Sequence, residues 1–291
     1  MKSLLSIVNT FFRKGPSVAS NDPVFLLAGS GRSGTTWLGN IIAGDELVTY
    51  FEPFDYRRVP SFNGLGLRPY FRPDEPHEEW KDVVKKLLTG GLNDKALVNS
   101  NEQLDPCTCK GTLIKEIRVN GILLWLQKNF SLKFIFIIRN PCAVALSRLE
   151  CNWVPEVDSF FENSNLISDF AIDVKPLKEK ALNPLLAHVI MWCFENIVPL
   201  RHFGENLPVF KYEDIMSDKE NVVPAILDTL DLCFNEARQN TFDQLSNMST
   251  RRIIDRNELI FGWKNKISSD DLGQILYILE AFNLSSLYKL K

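Results

Sequence analysis

Residues Val24-Phe25-Leu26-Leu27-Ala28 run directly into Gly29-Ser30-Gly31-Arg32-Ser33-Gly34-Thr35-Thr36-Trp37. This stretch reads as a buried strand, a glycine-rich turn and the first turn of a helix. The glycines let the backbone bend sharply and approach a ligand with no Cβ in the way. The helix start presents unpaired N–H groups and the positive end of the helix dipole, which together suit a phosphate or sulfate. A loop for nucleoside triphosphates has Gly, four residues, Gly, Lys, then Ser or Thr. Gly29 and Gly34 keep that spacing, but Thr35 stands where the lysine belongs, and the nearest cation is Arg32, inside the loop. The anion expected here is therefore not the γ-phosphate of Mg-ATP.

Outward from this loop, strand-like and helix-like segments alternate. A helix is expected over 34–43 and a short strand over 47–51, ending at Glu52-Pro53. A helix over 78–88 and a strand over 112–118 follow, then a helix over 121–129. The strongest strand, 134–138, ends at Arg139-Asn140-Pro141, where proline opens the next helix. Later come a helix from 184 to about 203, a strand over 207–212, and helices over 222–232 and 272–282. Two proline-rich or irregular stretches, 57–76 and 152–183, interrupt the pattern and read as variable loops. The alternation implies a central parallel β-sheet covered by helices on both faces, in a single α/β domain of residues 23–291.

Residues 1–22 are expected to form a separate N-terminal arm. Its apolar start resembles a short secretory signal, but Arg13 and Lys14 fall before the small residues Ser17-Val18-Ala19, where a signal peptide is normally uncharged. An uncleaved amphipathic arm packed on the body is expected. No apolar run reaches the ~18 residues of a membrane span, and a soluble, cytoplasmic protein is expected.

The net charge of −3 gives no general attraction to nucleic acid or to an anionic membrane. Any anion site must be local. Of six cysteines only Cys107 and Cys109 are close together, so reduced thiols are expected rather than a zinc site or a disulfide framework, and no metal is expected.

Candidate site residues gather at strand ends, where ligands of open α/β sheets bind. Glu52 follows the second strand. Lys115, Glu116 and Arg118 close the third, either bordering a crevice or reaching solvent. Arg139 leaves the fourth, and Ser147 lies eight residues on, so both can face one anion; an arginine fork matches a phosphate dianion. Trp192 reads as core. The basic residues 249–266 are either a solvated face or part of the anion site. His77 is a lone loop histidine.

Taken together, these residues resemble the sulfotransferases that use 3′-phosphoadenosine 5′-phosphosulfate (PAPS). Gly31-Arg32-Ser33-Gly34-Thr35-Thr36-Trp37 looks like the family's 5′-phosphosulfate loop, and Phe136 through Ser147-Arg148 looks like its 3′-phosphate motif. Tyr212-Glu213-Asp214 and Gly262-Trp263-Lys264 resemble its two later segments. Arg32, Phe51-Glu52-Pro53 and Lys115-Glu116-Ile117-Arg118 look most like the carbohydrate 6-O-sulfotransferase branch, whose animal members carry a membrane anchor; no such anchor is expected here.

The resemblance implies PAPS as co-substrate and a saccharide or small natural-product acceptor bound by the variable stretches. It implies that Gly31, Arg32, Ser33, Gly34, Thr35 and Thr36 hold the phosphosulfate, with Trp37 on the adenine and Tyr212 lining its pocket. Arg139, Ser147 and Arg256 would bind the 3′-phosphate, and Lys115 would stabilise charge on the sulfuryl group. Glu52 is the expected base, with His77 as second choice. A P-loop kinase or NTPase and a non-catalytic nucleotide-binding relative are the alternatives.

Overall fold

In the computed structural model, residues 22–92, 94, 96–97, 110–202, 208–242, 256–288 and 290 are described. Five strands, β1 (Val24–Gly29), β2 (Leu47–Phe51), β3 (Gly111–Glu116), β4 (Lys133–Ile138) and β5 (Val209–Lys211), form one parallel sheet in the order β2-β3-β1-β4-β5. Successive residues of β1 point to opposite faces, and both faces are covered. Leu26 packs with Ile114, Phe136 and Ile138 on one side, while Phe25 and Leu27 pack with Leu113, Ile135 and Ile137 on the other. This two-sided burial is why β1 and β4 are unbroken apolar runs instead of alternating ones.

The helices in chain order are α1 (Thr35–Ala43), α2 (Glu78–Leu88), α3 (Leu123–Asn129), α4 (Pro141–Glu150), α5 (Asp158–Phe161), α6 (Ser164–Phe170), α7 (Val174–Lys180), α8 (Pro184–His202), α9 (Tyr212–Ser217), α10 (Lys219–Thr229), α11 (Glu236–Phe242), α12 (Arg256–Phe261) and α13 (Ser269–Ala281). The chain leaves β1 toward β2 on one side and leaves β4 toward β5 on the other. The switch between β1 and β4 therefore opens a crevice at the strands' C-terminal ends, and the loop 30–34 and Arg139 both lie there.

Several elements differ from expectation. The third strand stops at Glu116, because its carboxylate accepts the N–H groups of Ile117 (2.7 Å), Arg118 (3.0 Å) and Phe54 (3.0 Å), taking that backbone out of the ladder. The fifth strand is only Val209–Lys211, and Tyr212 already opens a helix. Residues 152–183 are not an irregular loop: α5, α6 and α7 lie there, each seven residues or fewer. Such helices are too short to show a 3.6-residue period, though Asn163 and Asp173 cap two of them. The arm up to residue 21, Cys107, Cys109 and the basic residues at 249–252 lie outside the described residues. Among the described residues no helix is long and apolar enough to cross a membrane, and Cys142, Cys151, Cys193 and Cys233 are free thiols.

Candidate active site

The loop after β1 is a tight turn. Ser33 N–H donates to the Ser30 carbonyl (3.1 Å), Arg32 and Gly34 have φ of 75° and 88°, and α1 then starts without a side-chain cap. The first-turn N–H groups of α1 thus have no intrahelical acceptor and face the crevice mouth. Gly34 is required twice over. Its φ is left-handed, and a Cβ there would lie 2.7 Å from the Tyr212 ring. Gly31 is confined in the same way by Trp153, at 2.8 Å.

On the β4 side three sequence-predicted residues meet. Arg32 Nε donates to Ser147 Oγ at 3.0 Å. Arg139 donates to the carbonyls of Arg32 (3.1 Å) and Leu259 (3.0 Å), with its guanidinium 4.3 Å from the Tyr212 ring centroid. Its Nε is buried without a hydrogen-bond partner among the described residues, as is Ser33 Oγ. Asn140 holds this strand exit in place: its Oδ1 caps α4 through Cys142 and Ala143, and its N–H donates to Glu213.

On the β3 side, Lys115 Nζ lies 2.5 Å from Glu52 Oε1 and 4.2 Å from the Phe51 ring centroid. Arg118 donates to Glu52 Oε2 at 2.6 Å and pairs with Asp55 at 3.2 Å. Burial alone would raise the Glu52 pKa, but the charges of Lys115 and Arg118 and their hydrogen bonds overcome it and hold the carboxyl below its usual range. Burial lowers the Lys115 pKa against the pull of Glu52. Of the three charges that close the third strand, Lys115 lines the cleft, Arg118 stands behind Glu52, and Glu116 is buried on backbone N–H groups.

One cleft is lined by Gly31, Arg32, Gly34, Thr35, Thr36, Trp37, Glu52, Lys115, Arg139, Ser147 and Tyr212. Arg256 opens α12 beside it, but its side chain lies outside the described residues. His77 is not among the lining residues: it stacks on Phe71 at 3.7 Å, with Trp125 beyond. Trp153, Ile117, Glu150 and Glu258 line the cleft without having been given a role, and Lys266, from the basic segment 249–266, lines it too. Trp153 carried no motif, and Ile117 was only the apolar residue within Lys115-Glu116-Ile117-Arg118; Lys266 and Glu258 sit around the Gly-Trp-Lys segment and were the most findable. Trp192 is core, as expected, but its indole N–H also donates to the Arg139 carbonyl at 3.0 Å.

No protein-family description matches the chain, and no curated protein sequence does. Among solved structures, the sulfotransferase domain of the Synechococcus PCC 7002 olefin synthase is 17% identical, with a TM-score of 0.51 over 95% of this chain and 98% of that one. The chain has a sulfotransferase fold. The sulfotransferase domain of the curacin biosynthetic pathway (15% identical, TM-score 0.48, 92% and 99% covered) and mouse sulfotransferase SULT7A1 complexed with PAP (12%, 0.48, 94% and 89%) are also similar.

Proposed function

We propose that this protein is a PAPS-dependent sulfotransferase, nearest in its motifs to the carbohydrate 6-O-sulfotransferase branch. It moves a sulfuryl group to a hydroxyl or amine of a carbohydrate or small natural-product acceptor and releases adenosine 3′,5′-bisphosphate. The observation that carries this reading is the meeting of Arg139, Ser147 and Arg32 beside the loop. It supports a second anion position next to the first, a feature that suits a donor with both 3′ and 5′ groups and is superfluous for ATP. Free thiols at four cysteines are consistent with work in the cytoplasm.

The residues present fit such a donor. Gly31 and Gly34 let Trp153 and Tyr212, which line the same cleft, pack directly on the loop backbone, and the orphaned Arg139 Nε and Ser33 Oγ are buried donors beside it. PAPS supplies the activated sulfuryl group. The chain supplies the rest. Loop N–H groups and Arg32 hold the 5′ end and stabilise charge on the departing phosphate; such donors are each worth about 2.7–4 kcal/mol in other enzymes. Arg139 and Ser147, with Arg256, hold the 3′-phosphate. Trp37 and Tyr212 flank the base. Lys115 stabilises charge on the sulfuryl oxygens. Glu52 takes the acceptor's proton: each carboxylate oxygen, already bonded once, keeps a second lone pair.

The test is transfer of labelled sulfuryl from PAPS across a panel of sugars, phenols and amine-bearing natural products. Label in an acceptor supports the reading. Binding of the donor with no transfer to any acceptor would leave a nucleotide-binding relative without chemistry.

A further inference from the structure

One face of α8 touches three strand exits. Trp192, Glu195 and Asn196 stand at i, i+3 and i+4 and so project from the same side. Trp192 donates to the Arg139 carbonyl, and Asn196 Nδ2 donates to Ser30 Oγ at 2.8 Å. Glu195 reaches further, through two arginines. Its Oε2 accepts from Arg148 at 2.6 Å, and Arg148 donates to the Gly31 carbonyl from Nε (3.3 Å) and Nη2 (3.1 Å). Its Oε1 lies 3.3 Å from Arg68 Nη2, and Arg68 Nη1 donates to the Ile117 carbonyl at 3.2 Å.

All three charged side chains are buried, Arg148 completely. Apolar residues of similar volume would commonly give equal or greater stability than such a triad, so stability is a poor reason for it. Its two outward contacts give a better one. Across the trans peptide, holding the Gly31 carbonyl inward turns the Arg32 N–H the opposite way, out of the protein interior. At the other end, Ile117 is two residues past Lys115. The triad also keeps one surplus positive charge beneath an anion loop.

We propose that Glu195 is a positioning residue that fixes the loop through Arg148 and the Lys115 side through Arg68, holding the two halves of the cleft in one geometry. What the halves hold rests on the sulfotransferase reading; their mechanical coupling does not.

The experiment compares wild type with Arg68→Met/Arg148→Met/Glu195→Leu, which removes all three charges together and avoids stranding a buried ion. Amide hydrogen exchange of the ligand-free proteins reads segments 29–37 and 115–120, with β4 as internal reference. Exchange in both segments should quicken about tenfold or more while β4 and the melting temperature hold, and bisphosphate affinity should fall by about tenfold or more. Arg148→Met alone should quicken 29–37 and weaken bisphosphate binding; Arg68→Met alone should quicken 115–120 and lower kcat, with affinity kept. Unchanged exchange in both segments of the triple variant overturns the proposal. Quickened exchange in a protein whose wild type binds no bisphosphate sustains the positioning role and sinks the sulfotransferase reading instead.

Discussion

The Lys115 ammonium and the Glu52 carboxylate lie 2.5 Å apart at the ends of neighbouring strands, with Arg118 on the second carboxylate oxygen. Glu52 also has a φ of 50°, a conformation that a residue with a side chain adopts at a cost of about 1–3 kcal/mol. A strained acid bracketed by two cations at a cleft is a strong candidate for chemistry. Glu52→Gln keeps the shape and removes the proton acceptor. Turnover should fall by about 10²–10⁴-fold, with bisphosphate affinity nearly unchanged. Steady-state kinetics and calorimetry on the same preparation separate the two quantities, and near-normal turnover would remove Glu52 from the mechanism.

Arg118 gives a pH prediction. Glu52 is faced by Lys115, by Arg118 and by the buried Glu116, and the two cations depress its pKa. A depressed carboxylate pKa contributes stability that is complete above the unfolded value and is lost as pH falls through the folded one. Arg118→Met removes one cation, so the Glu52 pKa rises toward its ordinary value. The acid limb of kcat/KM should move to higher pH, and the folded state should lose stability sooner on acidification. A pH–rate profile with the acid limb in its wild-type place would contradict the assignment of Glu52 as the titrating base.

Arg139 is expected to discriminate between nucleotides. Hydrogen bonds to a charged group contribute about 1.5–3 kcal/mol. Arg139→Met should therefore weaken adenosine 3′,5′-bisphosphate by roughly 10- to 150-fold, yet change the binding of adenosine 5′-monophosphate little. Equal losses for both ligands would mean that Arg139 only braces the loop through the Arg32 carbonyl.

Gly34→Ala should destabilise the protein by about 1–3 kcal/mol from its left-handed φ, and the clash with Tyr212 adds to this. Combining it with Tyr212→Ala should relieve the clash but leave the φ cost. Melting curves of the single and double variants test this; a Gly34→Ala protein as stable as wild type would contradict the loop geometry.

How much of this could be read beforehand follows from sequence distance. The loop, the strand exits and the placing of Arg139 and Ser147 on one cleft were legible, because each is a short signal with a local physical reason. β2 and α2 have the limits expected of them, since turn residues bound them on both sides. The order β2-β3-β1-β4-β5 was not legible, as no residue spacing encodes which parallel strands become neighbours. Glu195 was hidden for a related reason. It meets Arg148 across 47 residues from inside an apolar helix, where a lone acid looks like an interruption. Trp153 lay in a stretch without periodicity and is placed over Gly31 only by the packing. His77 is stacked on Phe71 and is not among the cleft-lining residues, a placing that its neighbours in the chain do not reveal.

The claim at the centre is the identity of the donor, and competitive equilibrium binding tests it most directly. Adenosine 3′,5′-bisphosphate should bind without added metal, compete with PAPS for a single site, and outcompete both adenosine 5′-monophosphate and Mg-ATP. Preferential binding and hydrolysis of Mg-ATP, with indifference to the 3′-phosphate, would contradict it.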